Sequence, residues 1–276
     1  MPEGDTIYRA AQTLHRALSG RVVVRFESVF PALMKVQYDA PLTGRTIEQV
    51  TSAGKHLLMR FSGGHTLRTH MRMNGSWHIY RPGERWKRPH HDMRIIVATS
   101  EFEAVGFNIP VAEFVKGDAL RRHRELSRLG PDLLGEAFDE AEAIRRLRAR
   151  TDMAIAHALL DQRVLAGIGN VYKCEVLFAC GVNPLSKVGE LSEPQLACLV
   201  NTARRFLRAN VSPGLAPMTT FSGVRRTTGR DDPRERLWVY GRGRLPCRRC
   251  GTTIQVLKQG ADARRTYWCP RCQRGA

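Results

Sequence analysis

The sequence predicts an α+β protein: an N-terminal β-sandwich with a flanking helix, then a helical domain, then a C-terminal β-hairpin module carrying a metal. Three observations lead there. A helical apolar stripe at the start gives way to short β-rich runs that extend to Phe107. Helical periodicity then returns between Ala141 and Asn210. Two Cys-x-x-Cys pairs close the chain. Expected boundaries are 1–128, 129–236 and 237–276: two domains, as roughly 150 residues per domain suggests, and a separate small module.

From Thr6 to Leu18, apolar Ile7, Ala10, Ala11, Leu14 and Leu18 recur on one helical face. Asp5 is the expected N-cap and Gly20 the stop. Val22–Phe26, His56–Phe61, Thr66–Met73 and Arg94–Val97 read as strands, punctuated by Gly63-Gly64, Asn74-Gly75 and Pro82-Gly83. Leu129-Gly130-Pro131-Asp132 reads as a linker. Ala141–Leu160, Asn170–Ala179 and Pro194–Asn210 read as helices, with a glycine-punctuated double turn, Gln162–Asn170, between the first two. Residues 211–233, polar and rich in Gly, Thr and Arg, read as a mobile loop.

Composition narrows the function. With 42% hydrophobic residues the chain has enough apolar surface for packed cores. No run approaches the 18 or so apolar residues of a membrane span, and no basic-then-apolar leader opens the chain. A cytoplasmic, nucleoid-associated protein is expected. The formal net charge is +18, which points to a polyanion partner, nucleic acid above all. Residues 225–276 hold 14 Arg/Lys against 4 Asp/Glu, a net of +10, so over half the excess lies in the last fifth of the chain.

Cys247-x2-Cys250 and Cys269-x2-Cys272 form a four-thiolate ligand set. Such a set fills a tetrahedral site and leaves no open position, which suits one structural zinc ion; an iron–sulfur cluster is the competing reading. Cys174, Cys180 and Cys198 lack metal spacing and read as buried apolar residues in a reducing compartment. The finger's predicted strands are Thr253–Leu257 and Arg265–Trp268, with Arg264 in the loop between them, suited to phosphate or to solvent. Glycines before Asn170 expose N–H groups at a helix start, which bind phosphate readily, although an ordinary helix–helix turn has the same pattern. Lys55, after Gly54, is either a solvated lysine or a phosphate contact. Met73, in His70-Met71-Arg72-Met73-Asn74-Gly75, is either a core residue or an apolar wedge for a base stack.

The first residues carry the chemistry. Removal of Met1 would leave Pro2 as a free secondary amine beside Glu3. An α-amino group titrates near pH 7.7–8.0, far below lysine, so much of it is unprotonated at neutral pH. Such an amine can attack a nucleoside C1′ and form an iminium. The iminium acidifies the 2′ protons and permits elimination, with Glu3 relaying protons.

Taken in order, these motifs resemble the formamidopyrimidine-DNA glycosylase/endonuclease VIII family of DNA repair enzymes: Pro2-Glu3-Gly4, Gly54-Lys55, His70–Gly75, Leu129–Asp132, Leu160–Asn170 and the four-Cys finger. The Pro-Glu-Gly start is closer to the endonuclease VIII branch. The resemblance implies a bifunctional glycosylase/AP lyase of base excision repair that cuts by β,δ-elimination and needs no catalytic metal or redox cofactor. It makes Pro2 the Schiff-base nucleophile, Glu3 the catalytic acid and Lys55 a phosphate-contacting helper. Met73 fills the gap left by the flipped base, with His70, Arg72 and Asn74 contacting DNA around it. Asn170, in the helix–two-turn–helix, and Arg264, in the zinc finger, hold phosphates.

Three positions depart from the family pattern. Thr6 stands where the family commonly has a second glutamate. Val105–Asn108 lacks the Arg-x-Phe pair of the formamidopyrimidine branch, and 211–233 lacks its 8-oxoguanine-capping sequence. The last two favour oxidised pyrimidines as substrates. The expected partner is damaged DNA, double- or single-stranded, met by a monomer. A non-catalytic nucleic-acid-binding protein and an AP lyase without base excision are the alternatives.

Overall fold

In a computed structural model, residues 2–120, 122–211, 225–230, 232–260 and 263–274 are described. Most of the 211–233 segment, and Met1 with its expected removal, therefore lie outside the described residues. Two compact units divide the chain, separating after Arg128.

The first unit opens with helix α1 (Gly4–Leu18), which buries Ile7, Ala10, Ala11, Leu14 and Leu18 along the predicted stripe. Its N-cap is Glu3 rather than Asp5. Asp5 lies in the first turn, fully buried, where it accepts from the Thr6 hydroxyl at 3.3 Å and pairs with Arg9 at 3.6 Å. An acidic group there opposes the positive end of the helix dipole.

Next come β1 (Arg25–Ser28), α2 (Pro31–Asp39), β2 (Ile47–Ala53), β3 (His56–Phe61), β4 (His65–His70), β5 (Ser76–Tyr80), β6 (Met93–Ala98), β7 (Glu103–Phe107) and β8 (Val111–Lys116). They pair antiparallel into two four-stranded sheets, ordered β1-β6-β7-β5 and β2-β3-β4-β8. Phe26, Trp77 and Val97 of one sheet share a core with Leu57, Phe61 and Leu67 of the other, joined by the α1 stripe. A satellite cluster of Tyr80, Ile96, Val105 and Phe107 covers the far side of the first sheet. The predicted strand at 22–26 begins later, at Arg25, because Val22 only bridges to Thr46.

The second unit holds α3 (Glu140–Arg148), α4 (Ile155–Ala158), α5 (Asn170–Ala179) and α6 (Glu193–Ala209), then the hairpin β9 (Gln255–Gln259) and β10 (Arg264–Trp268). The single helix expected over 141–160 is broken. Between α3 and α4 the backbone turns to another partner: Gly189 N–H donates to Thr151 O, Val188 N–H to Met153 O and Ile155 N–H to Ser186 O, at 2.9–3.0 Å. Those bonds replace the i→i−4 ladder that a continuous helix needs.

Leu129–Asp132 is more than a linker. Gly130 N–H donates to Gln162 O at 2.8 Å and Ala166 N–H to Pro131 O at 3.0 Å, which docks the segment against the double turn. Nearly all of α5 is buried, and its residues enter two apolar clusters of the unit. Cys180 at its end is joined to Cys198 of α6 by a disulfide with Cα atoms 6.0 Å apart. This corrects the reading of both as buried apolar thiols: helix packing brings them within bonding range, and Cys198 is exposed.

Candidate active site and nucleic-acid interface

Within the first unit, Pro2 and Glu3 are buried at the N-terminal, positive end of α1. Glu3 is 0% exposed, and its carbonyl accepts from Thr6 and Ile7 N–H at 3.0 and 3.1 Å, fixing it to the first turn. The carboxylate thus sits beside Pro2 on a helix cap rather than on a frayed start. α1 packs against β2, β3 and β5.

Lys55 occupies the two-residue turn between paired Ala53 and His56, with Gly54 at φ +56° supplying the left-handed conformation. His56 pairs in register with His70, so the turn lies at the sheet end where β4 finishes. Lys55 and His70 are close enough for their charges to interact.

The loop after β4 turns tightly. Gly75 N–H donates to Met71 O at 2.9 Å, and a Cβ at Gly75 would stand 2.6 Å from that oxygen, so only glycine fits. The turn sends Met71 and Met73 opposite ways. Met71 is 2% exposed in the core and Met73 is 61% exposed, with Arg72 and Asn74 also outward. Arg72 takes φ +48°, and its N–H donates to His70 Nδ1 at 3.1 Å. Met73 is therefore not a core residue.

Burial lowers the His56 pKa to about 3, helped by His70 and Arg68. Burial also lowers His70 to about 4, helped by the Arg72 and Lys55 charges. Both rings are therefore neutral at physiological pH and present N–H donors without charge.

In the second unit, Asn170 is the first residue of α5 and only 6% exposed. Its Nδ2 donates to Arg265 O at 2.8 Å and its Oδ1 accepts from Lys173 Nζ at 2.7 Å. Lys173, itself buried, also donates to Thr266 Oγ1 at 2.7 Å. The helix start is thereby tied to β10. Arg264 opens that strand opposite Gln259, rather than riding in the loop as expected, and it is exposed. Gln162 closes the double turn by donating to Leu160 O and Ile168 O and accepting from Gly167 N–H at 3.1 Å.

Sequence reading missed buried polar groups, of which Glu175 is the clearest. It is fully buried; its carboxylate accepts from the Trp238, Val239 and Tyr240 N–H groups at 2.8–2.9 Å and from Thr227 Oγ1. Burial pushes its pKa up, while these bonds oppose the rise. It stands amid an apolar helix at Cys174-Glu175-Val176, and that one carboxylate was its only signal.

The Sγ atoms of Cys247, Cys250, Cys269 and Cys272 lie within 4.8 Å of one another, with Cys247–Cys272 at 4.0 Å and Cys250–Cys269 at 3.5 Å. A tetrahedron of thiolates at about 2.3 Å from zinc has edges of roughly 3.8 Å. The donor set and its spacing fit a metal site.

Comparison with known proteins matches residues 1–108 to the formamidopyrimidine-DNA glycosylase N-terminal domain, 129–222 to that family's H2TH domain, and 244–275 to a zinc finger found in FPG and IleRS. A Streptomyces coelicolor protein named "Probable endonuclease 8 2" is 46% identical over 100% of this chain and 95% of its own length. This chain belongs to the formamidopyrimidine-DNA glycosylase/endonuclease VIII family. Another family member, of Mycolicibacterium smegmatis, is named a DNA-(apurinic or apyrimidinic site) lyase and is 39% identical over 99% of each chain. The family fold is seen in a Lactococcus lactis Fpg complex with DNA containing an oxidized pyrimidine, with a TM-score of 0.83, 24% identity and coverage of 99% of this chain and 100% of that one. Among the described residues, no helix is long and apolar enough to cross a membrane.

Proposed function

We propose that the protein is a bifunctional DNA glycosylase/AP lyase of base excision repair with oxidised pyrimidines as preferred substrates. The observation that carries this is Glu3, a carboxylate with no exposure, held at the α1 cap beside Pro2. A carboxylate beside an N-terminal secondary amine, at the positive end of a helix, is placed to move a proton at that amine. The Pro2 nitrogen attacks C1′ of the flipped nucleotide and the base leaves; Glu3 relays a proton to O4′ as the C1′–O4′ bond breaks, which opens the sugar and leaves the iminium. Loss of a 2′ proton from the iminium expels the 3′ phosphate, and a second elimination expels the 5′ phosphate. Met73 fills the vacated stack, and Lys55, His70, Arg72 and Asn74 hold the strand beside it. Asn170 and Arg264 contact phosphates from the second unit, as a monomer on duplex or single-stranded DNA.

One structural zinc ion at Cys247, Cys250, Cys269 and Cys272 folds the finger, and the working division is 1–128, 129–236 and 237–276. The protein acts on the nucleoid. A second reading, AP lyase without base excision, draws support from Thr6 and from the M. smegmatis relative's name. Single-turnover assays on dihydrouracil, thymine glycol, 8-oxoguanine and abasic duplexes decide. Base release from the two pyrimidines ahead of 8-oxoguanine is expected. Faster 8-oxoguanine release overturns the substrate preference, and abasic nicking with no base release leaves the second reading.

A further inference from the structure

The outer face of the β2-β3-β4-β8 sheet carries a charged cluster that the proposed chemistry does not use. Arg68, in the middle of β4, is only 4% exposed. Its Nε donates to Glu113 of β8 at 2.5 Å, and its Nη1 donates to Glu125 at 2.7 Å and to His56 Nδ1 at 2.8 Å. Glu113 also accepts from His123 Nε2 at 2.8 Å, and His123 Nδ1 accepts from Glu125 N–H at 3.3 Å. One guanidinium fork therefore gathers two strands and the 122–128 segment that ends the unit. A buried guanidinium is tolerated only when its donors are satisfied, and a planar fork does this where an ammonium cannot.

The bond to His56 fixes more than position. Arginine only donates, so His56 Nδ1 must be the acceptor and the ring proton must sit on Nε2. His70 is set the same way by Arg72 N–H, and the two rings meet edge to face with centroids 4.9 Å apart. We propose that Arg68 is a positioning residue: it fixes the orientation and Nε2–H tautomer of His56 and, through that ring's edge-to-face contact, the placement of His70 at the sheet end that carries Lys55. This rests on the proposed role of His70 in holding DNA. His70 then offers a pre-set neutral donor beside the lysine, and Arg68 acts without touching substrate.

The test uses the full-length protein and Arg68→Met, with Arg68→Lys keeping the charge but not the fork, and thermal melting as a control for folding. Long-range 1H–15N spectra of the free protein should show Nε2–H tautomers for both rings, and His56 should become a tautomer mixture in Arg68→Met. Binding to a duplex with a reduced abasic site should weaken about three- to tenfold, the net scale of one ordinary hydrogen bond, with trapping at saturating abasic DNA unchanged. Arg68→Lys should fall between. In a His70→Ala background, Arg68→Met should have no further effect on binding. An unchanged His56 tautomer in a folded Arg68→Met protein, or losses that multiply with those of His70→Ala, overturns the assignment. If His70→Ala alone leaves binding intact, the DNA contact by His70 is wrong, while the tautomer spectra still decide the role of Arg68.

Discussion

His56 should make the first unit acid-labile by a calculable amount. The ring is buried, and His70, Arg68, His123 and Arg72 all disfavour its charge, so its folded pKa is about 3 against 6.5 for the exposed group. As pH falls through 6.5 the unfolded chain takes up a proton that the folded chain refuses. Stability is therefore full above that pH and is lost progressively as pH falls toward the folded value. The linkage relation gives a loss of about 2 kcal/mol between pH 8 and pH 5 from this ring alone. His56→Gln keeps an acceptor for Arg68 but cannot titrate, so it should remove about 2 kcal/mol of that pH dependence. Urea unfolding at both pH values, with hydrogen exchange of the β3 and β4 amides to isolate this unit, reads the difference. If wild type and His56→Gln lose the same stability between pH 8 and pH 5, His56 is not a buried neutral ring.

Three further outcomes are expected. Met73→Ala should leave the melting temperature unchanged, because the side chain is 61% exposed, but should slow base excision at least tenfold and abasic nicking less, since unstacking a base step costs a few kcal/mol; calorimetry and single-turnover assays check both halves. Cys269→Ser, or a strong chelator, should release one equivalent of zinc, measured by atomic absorption, and abolish duplex binding. Reduction of Cys180–Cys198, or Cys198→Ser, should lower the stability of the second unit by about 3 kcal/mol, the loop-closure value for its separation of 18 residues, as read by denaturant unfolding with and without dithiothreitol.

Local patterns were legible. His56–Phe61 and Asn170–Ala179 form the elements their own residues specify, because β-rich alternation and helical periodicity are short-range signals. What failed was set by distant partners. The 141–160 periodicity could not reveal that Thr151 and Met153 would bond to 188–189. Arg264 looked like a loop residue because the pairing with Gln259 that starts β10 lies across the turn. α2 went unseen, since only Leu33 on it is buried and its periodicity is weak. The Pro2-Glu3 start, His70–Gly75 and the four cysteines were visible as motifs. The buried polar groups Arg68, Lys173 and Glu175 were not, since burial of a charge depends on what folds over it.

The central claim is a covalent bond between the Pro2 nitrogen and a deoxyribose carbon. Borohydride reduction with abasic DNA, followed by proteolysis and tandem mass spectrometry, tests it most directly. The sugar adduct should map to an N-terminal peptide beginning at Pro2. An adduct on Lys55 or any other side chain, or active enzyme that retains Met1, would contradict it.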